Sequence, residues 1–206
     1  MLDIDTPHGM ARVHLRHAVE PRGWLVLSHG AGGGVTSLDL VAATEAALAE
    51  EMSVALVEQP YRVAGRRSPA PAHHLDGAWV AVVERLRSET LGGLPLVTGG
   101  RSAGARVACR TAAATGAAGV LCLAFPLVPP RRSGGKPAVS RLPELDAVQV
   151  PTLVVQGERD PFGMPLGSAL RTVATVSGDH SLRSDLPAVR AAVQTWLWSI
   201  HERGVT

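Results

Sequence analysis

The sequence predicts an α/β fold: a three-layer, doubly wound, mostly parallel sheet with an antiparallel N-terminal edge. Short apolar segments alternate with alanine-rich segments of helical length along nearly the whole chain, a pattern typical of a parallel sheet covered by helices. Gly119–Phe125 is apolar without interruption, as expected of a parallel strand buried on both faces. The chain's antiparallel start is predicted from a turn sequence at residues 6–9, between two short strands.

The length and composition indicate one domain over residues 1–206. A chain of 206 residues with 46% hydrophobic residues can form one sizeable core, and only 18% of the residues are charged. This balance excludes disorder as the main state. The net charge of +2 excludes a strongly basic nucleic-acid-binding protein, so we expect no nucleic-acid partner.

The apolar segments are too short for a membrane helix. The longest run, Val120–Val128, is interrupted by Pro126, whereas a span needs about 20 apolar residues. Asp3 and Asp5 lie where a signal peptide would carry positive charge. We therefore expect a cytoplasmic chain without a membrane partner, as a monomer or homodimer. In that compartment Cys109 and Cys122 should remain buried thiols.

The strands are predicted where β-branched and other apolar residues cluster between turn residues. The antiparallel pair comes first, and the remaining strands are each separated by a helix or a long loop. They are Leu2–Asp5, Ala11–Arg16, Trp24–Ser28, Ser53–Val57, Leu94–Thr98, Gly119–Phe125, Thr152–Gln156 and Arg171–Val176.

The helices are predicted from apolar residues at helical spacing. Asp185 is the expected N-cap of the last helix, because Pro187 would lie in the first turn, where a missing N–H costs little. The four helices are Asp39–Glu51, Leu75–Thr90, Ala103–Thr115 and Leu186–His201.

Two long segments rich in proline and arginine, Tyr61–His73 and Pro126–Pro143, are predicted to be irregular. Each follows a strand, so we expect both near the carboxyl edge of the sheet. One hypothesis is that their basic residues form a cationic rim that attracts anionic substrates; the alternative is a solvated basic surface. The residues concerned are Arg62, Arg66, Arg67, Arg131, Arg132 and Lys136.

The most informative motif is Gly100-Arg101-Ser102-Ala103-Gly104, which matches G-x-S-x-G between a predicted strand and a predicted helix. In that context a serine lies on a sharp turn, with its hydroxyl above the sheet edge. Ser102 is therefore a candidate nucleophile. The alternative is a tight turn with a capping serine.

A serine needs an adjacent base, and the base needs an orienting acid. Only His180 and His201 follow Ser102, and His180 comes directly after a strand, whereas His201 lies near the end of the last helix. The acid is predicted at Asp160, just beyond a turn glycine, with Glu158 as the rival. The predicted catalytic set is Ser102, Asp160 and His180.

An oxyanion hole is expected near the same edge. The N–H of Ala103 would supply one donor, and Ala31 or Gly32 in the glycine-rich loop after Trp24–Ser28 the other. That loop could also hold a phosphate, but the final glycine of G-x-G-x-x-G would fall at Val35 or Ser37.

With these motifs, the chain resembles the α/β-hydrolase superfamily over almost its full length, and in particular the small, lidless branch related to dienelactone hydrolases. The motifs are His29–Gly34, Gly99–Gly104, Gly157–Gly163 and Gly178–His180. The resemblance implies a Ser-His-Asp mechanism without metal or organic cofactor. Dienelactone hydrolases use a cysteine nucleophile, so Ser102 departs from their pattern.

Three residues within these motifs, Arg101, His29 and Phe162, are predicted to contact the substrate. Arg101 has an alternative role, an ion pair with Glu58 at the end of a neighbouring strand. The predicted function is a serine esterase or thioesterase that acts on a small-molecule acyl substrate. The alternatives are a catalytically idle hydrolase-fold subunit that binds a protein, and a nucleotide-binding protein.

Overall fold

A single eight-stranded sheet forms the centre of the computed structural model, which describes residues 1–129 and 138–204. The strands are β1 (Leu2–Thr6), β2 (Gly9–Arg16), β3 (Gly23–Ser28), β4 (Met52–Glu58), β5 (Leu96–Arg101), β6 (Gly119–Leu123), β7 (Thr152–Gly157) and β8 (Arg171–Val176). All eight predicted strands are present, with ends shifted by at most three residues.

The strand order is β1-β2-β4-β3-β5-β6-β7-β8. β1 pairs antiparallel with β2, and β2 antiparallel with β4. All remaining neighbours are parallel, which confirms the predicted fold class. Because β3, β5, β7 and β8 run in one direction, the loops that follow them leave the sheet at the same edge. This carboxyl edge is where ligand sites form in such sheets.

Helices cover both faces of the sheet. α1 and α6 pack together on one face, and α3 and α4 on the other. The helices are α1 (Leu38–Ala49), α2 (Pro60–Val63), α3 (Ala72–Glu89), α4 (Ala103–Thr115), α5 (Leu142–Asp146) and α6 (Leu186–Gly204).

The central strand β3 shows how the three layers are held together. Successive strand side chains point to opposite faces of a sheet. Leu25 and Leu27 therefore pack in the core beneath α1 and α6, while Trp24 and Val26 pack in the core beneath α3. All six residues of β3 are buried, so the strand contributes to the hydrophobic core on both sides.

The two segments predicted to be irregular both contain helix. Pro60 begins the short helix α2, since a proline in the first turn needs no N–H partner. α3 begins at Ala72, directly after Pro71, rather than at Leu75. In Pro126–Pro143, α5 begins at Leu142. Residues 130–137, including Arg131, Arg132 and Lys136 of the hypothesised rim, lie outside the described residues.

The two cysteines are buried, as predicted, and are not joined by a disulfide. Their Sγ atoms, on α4 and β6, are 3.4 Å apart. The contact with Cys109, together with burial, raises the pKa of the Cys122 thiol well above its usual range. Across the ranges that the structure covers, no helix is both long enough and apolar enough to cross a membrane.

Asp185 caps α6 in the way that the sequence predicts. Its Oδ1 accepts a hydrogen bond of 3.1 Å from the N–H of Ala188. Asp185→Ala removes this acceptor and should lower the free energy of unfolding by about 1 kcal/mol, measured by urea denaturation. Asp185→Asn keeps a side-chain oxygen and should cost little. Equal losses in the two variants would contradict the capping role.

Candidate active site

Ser102 lies in a strained turn between β5 and α4. Its φ of 52° and ψ of −106° place a non-glycine residue in the left-handed half of conformational space, which costs energy that the surrounding structure must offset. The Ser102 N–H donates to the carbonyl of Leu123 at the end of β6, at 2.9 Å. The turn is therefore fixed from the neighbouring strand, and the hydroxyl stands above the sheet edge.

The two glycines of the motif are required by close backbone approach. A Cβ built on Gly104 would lie 2.5 Å from the carbonyl oxygen of Ser28, and one on Gly100 would lie 2.6 Å from the same atom. The first turn of α4 therefore packs directly against the end of β3. This brings Ser102 beside the loop that follows β3.

The structure brings the three predicted catalytic side chains together. Ser102 Oγ lies 3.0 Å from His180 Nε2, and His180 Nδ1 lies 2.8 Å from Asp160 Oδ2. The Asp160 side chain is 1% exposed and that of His180 is 17% exposed. With the ring proton on Nδ1 donated to the carboxylate, Nε2 is free to accept the serine proton.

The carboxylate of Asp160 accepts two further hydrogen bonds. The N–H of Phe162 donates to Oδ1 at 2.9 Å, and Nε2 of Gln156 donates to Oδ2 at 2.8 Å. The rival acid, Glu158, is exposed and pairs with Arg159 at 2.8 Å. Because Asp160 is the carboxylate that contacts His180, the geometry favours it over Glu158.

Gln156 is a residue of the site that sequence reasoning missed. It is fully buried, and its amide makes hydrogen bonds to the N–H and the carbonyl of Phe125 and to the carbonyl of Gly163. Gln156 thereby joins the loop after β7 that carries Asp160 (the acid loop) to the segment that follows β6. A signal was present, because Gln156 is the one strongly polar residue in the otherwise apolar Leu153–Gln156 segment.

Arg101 does not pair with Glu58, in contrast to one of its two predicted roles. Its Nε donates to Asp39 Oδ2 at 3.1 Å, and its Nη2 donates to the carbonyl of His180 at 2.9 Å. Glu58 instead contacts His14, at 3.2 Å between Oε2 and Nε2. Nε and Nη2 thus have partners within the protein, whereas the guanidinium carries five N–H groups in all, so the predicted contact of Arg101 with a substrate stays a prediction.

Phe162 packs against the ring of His180. The ring centroids are 4.3 Å apart and the planes are tilted by 42°. Phe162 is half-buried and lies beside the imidazole. This position is compatible with the predicted contact between Phe162 and a substrate.

The predicted oxyanion donors belong to two elements, α4 and the loop that follows β3. Ala103 is the first residue of α4, and N–H groups in the first turn have no partner within the helix. The hydroxyl of Tyr61 donates to the carbonyl of Ala31 at 3.0 Å and so orients the peptide that joins Ala31 to Gly32. Sequence reasoning missed Tyr61. Both loop residues remain candidates for the second donor.

His29, predicted to contact the substrate, instead supports this loop from beneath. It is 2% exposed, its Nδ1 lies 2.8 Å from the carbonyl of Gly30, and the N–H of Gln59 donates to its Nε2 at 3.1 Å. Both ring nitrogens are therefore occupied within the protein. Burial lowers the pKa of His29, which favours the neutral ring that these two hydrogen bonds require.

The site offers no evident metal-binding arrangement. Within residues 1–129 and 138–204, no group of three or more His, Cys, Asp and Glu side chains is placed to hold a metal ion. The polar atoms around Ser102 are instead hydrogen-bonded to one another.

The fold and this geometry define the class of protein. A family model described as an alpha/beta hydrolase domain matches residues 21–191. The chain belongs to this family. No curated protein sequence matches the chain.

Solved structures share the fold at low sequence identity. A lidless α/β serine hydrolase from Xanthomonas campestris is 20% identical, with a TM-score of 0.76 over 96% of this chain and 93% of its own. A dienelactone hydrolase from Anabaena variabilis is 15% identical, with a TM-score of 0.75 over 96% and 95%. Est1E from Butyrivibrio proteoclasticus is 15% identical, with a TM-score of 0.74 over 97% and 98%.

The close packing at Gly104 can be tested by substitution. Gly104→Ala places a methyl group against the Ser28 carbonyl and should lower the free energy of unfolding by about 1–3 kcal/mol, measured by urea denaturation. Gly34→Ala is the matched control, because a Cβ there meets no atom within 4 Å. A destabilisation that is no larger at Gly104 than at Gly34 would refute the steric argument.

The lowered pKa of His29 predicts a pH dependence of stability. Above about pH 6.5 the ring is neutral in both the folded and the unfolded chain. Below it, the unfolded chain takes up a proton that the folded ring resists, so the free energy of unfolding should fall. Urea denaturation between pH 7.5 and 5.5 measures the fall, and NMR of the imidazole assigns it. A His29 ring that becomes protonated at pH 6.5 or above would contradict this prediction.

Proposed function

We propose that this protein is a serine hydrolase that cleaves small ester or thioester substrates through an acyl-enzyme. The observation that carries the proposal is the chain of two hydrogen bonds from Ser102 Oγ through His180 to Asp160 Oδ2, at 3.0 and 2.8 Å. A hydroxyl, an imidazole and a buried carboxylate in this order are the elements of a serine nucleophile with its base and its orienting acid.

In the first half of the reaction, Ser102 Oγ attacks the carbonyl carbon of the substrate and its proton passes to His180 Nε2. The tetrahedral intermediate carries negative charge on the former carbonyl oxygen, which the N–H of Ala103 and that of Ala31 or Gly32 stabilise. Asp160 holds the imidazole in the required tautomer and stabilises its protonated form.

When the intermediate collapses, the imidazolium of His180 gives its proton to the leaving alcohol or thiol, and the acyl group remains on Ser102. A water molecule then attacks the ester, again with His180 Nε2 as the base. The second collapse returns the proton to Ser102 Oγ and releases the acid. No cofactor takes part in this sequence.

Two features of the carboxyl edge bear on the choice of substrate. The half-buried ring of Phe162 beside His180 offers an apolar contact. Arg66 and Arg67, which follow α2, are exposed and belong to the hypothesised cationic rim. Among the structures that share the fold, one is described as Est1E with bound ferulic acid, at 14% identity, which shows a small aromatic acid bound to a protein of this architecture.

The nucleophile can be tested with a fluorophosphonate probe and a panel of chromogenic esters and thioesters. The purified protein should be labelled and should hydrolyse at least one of these compounds. Ser102→Ala should abolish labelling, and His180→Ala should lower kcat by about 10⁴-fold or more. Asp160→Asn should lower kcat strongly while circular dichroism shows an unchanged fold.

Glu158→Gln is the matched control for the acid, because this exposed carboxylate lies two residues from Asp160. It should leave turnover near that of the wild type. Labelling that persists in Ser102→Ala would show that another residue is the nucleophile. A folded wild-type protein that is neither labelled nor active would refute the proposal and favour a catalytically idle subunit that binds a protein.

A further inference from the structure

We propose that Arg101 is a positioning residue, whose guanidinium fixes the loop that carries His180 relative to the turn that carries Ser102. This inference rests on the proposed function. It assigns Arg101 a role through His180 rather than a contact with the substrate.

The guanidinium of Arg101 contacts three segments that are far apart along the chain but lie close together at the carboxyl edge of the sheet. Nη2 donates to the backbone carbonyl of His180 at 2.9 Å, and Nε donates to Asp39 Oδ2 in the first turn of α1 at 3.1 Å. Nη1 lies against Gly30, where a Cβ would be 2.9 Å from it. The side chain of Arg101, which is next to Ser102 in the sequence, therefore links three elements. They are the loop between β8 and α6 that carries His180 (the histidine loop), α1, and the glycine-rich loop between β3 and α1 (the oxyanion loop).

The histidine loop is held from two sides: the acid loop contacts it where the N–H of Arg159 donates to the carbonyl of Gly178 at 2.9 Å, and Arg101 joins its backbone to the turn that carries Ser102. His180 lies between β8 and α6, and its imidazole must stay within hydrogen-bond distance of Ser102 Oγ, 3.0 Å away. A displacement of about 1 Å at a reacting group can cost about 100-fold in rate. The bond from Arg101 to the carbonyl of His180 restrains the backbone of this residue itself.

Asp39 gives the anchor its rigidity. Its side chain is 1% exposed, whereas that of Arg101 is 20% exposed. A buried carboxylate must be hydrogen-bonded or paired with a charge, and Arg101 Nε gives Asp39 a charged donor at 3.1 Å. Asp39 therefore holds the guanidinium in place, and the planar group directs Nη2 to the carbonyl of His180. The single ammonium of a lysine lacks this arrangement of donors.

The competing role of Arg101, recognition of a substrate carboxylate, predicts different changes in kcat and KM. A residue that binds a substrate anion affects anionic substrates above all, and chiefly through KM. A residue that positions the base affects kcat for neutral and anionic substrates alike. The two roles can therefore be separated with two esters that differ in charge.

The test compares Arg101→Gln, Arg101→Lys and the double variant Arg101→Gln/Asp39→Asn with the wild type. The double variant removes both charges, so that no carboxylate is left buried without a partner if Arg101→Gln alone fails to fold. The substrates are p-nitrophenyl acetate and mono-p-nitrophenyl succinate. We expect kcat to fall about 100-fold for both esters with little change in KM. Guanidinium ion should restore part of the loss in Arg101→Gln, where the Asp39 carboxylate remains to bind it, but not in Arg101→Lys.

Arg110→Gln is the matched control. Arg110 lies on α4, pairs with Asp76 at 2.6 Å and is as exposed as Arg101, but it contacts no residue of the site. Its loss should leave the kcat for both esters near the wild-type value. Comparable losses of kcat in the Arg101 and Arg110 variants would overturn the proposal, because they would indicate a general effect of removing a buried ion pair.

Amide hydrogen exchange gives a measurement that does not depend on turnover. The N–H of Leu182 donates to the carbonyl of Asp179 within the histidine loop, at 3.1 Å, and should exchange faster in the Arg101 variants but not in Arg110→Gln. If the wild-type protein hydrolyses neither ester but Leu182 N–H still exchanges faster in the Arg101 variants, the positioning of the loop by Arg101 is upheld and the proposed function is refuted. Unchanged exchange, a kcat near that of the wild type, or a loss confined to KM for the succinate ester would each overturn the positioning role.

Discussion

The buried carboxylate of Asp160 is the constraint on which the rest of the site depends. A carboxylate that is 1% exposed loses its hydration and must receive hydrogen bonds from the protein. It receives them from His180, from the amide of Gln156 and from the backbone of Phe162. Meeting this need fixes the orientation of the imidazole, and through the imidazole the environment of Ser102. The order of the site therefore follows from the desolvation of one charge.

The fold and the main residues of the site could be predicted from the sequence because both depend on local patterns. Alternating strands and helices define the sheet, and a parallel sheet brings the residues after β5, β7 and β8 to one edge. Ser102, Asp160 and His180 each follow one of these strands, and the structure places them within hydrogen-bond distance. The motif at Gly100–Gly104 was also readable, because its glycines reflect contacts with the adjacent strand.

The partners of buried polar groups could not be predicted in the same way. Arg101 could reach several acids, and its choice of Asp39 over Glu58 depends on how α1 packs at the sheet edge. His29 has a sequence position typical of a substrate contact, yet its ring turns inward between Gly30 and Gln59. The short helices α2 and α5 were missed because four or five residues carry no periodicity. These features are decided by three-dimensional packing, which a single sequence does not display.

The direction of the strands also divides the molecule into two ends with different tolerance for attachment. Every residue of the candidate site lies on or beside loops at the end of the sheet where β3, β5, β7 and β8 finish. At the opposite end, where Gly23, Leu96 and Thr152 begin their strands, none of these residues is present. An engineered linker or a solid support attached at this end would leave the loops of the site facing open solution. Immobilisation there would therefore not block the access of a substrate to the site.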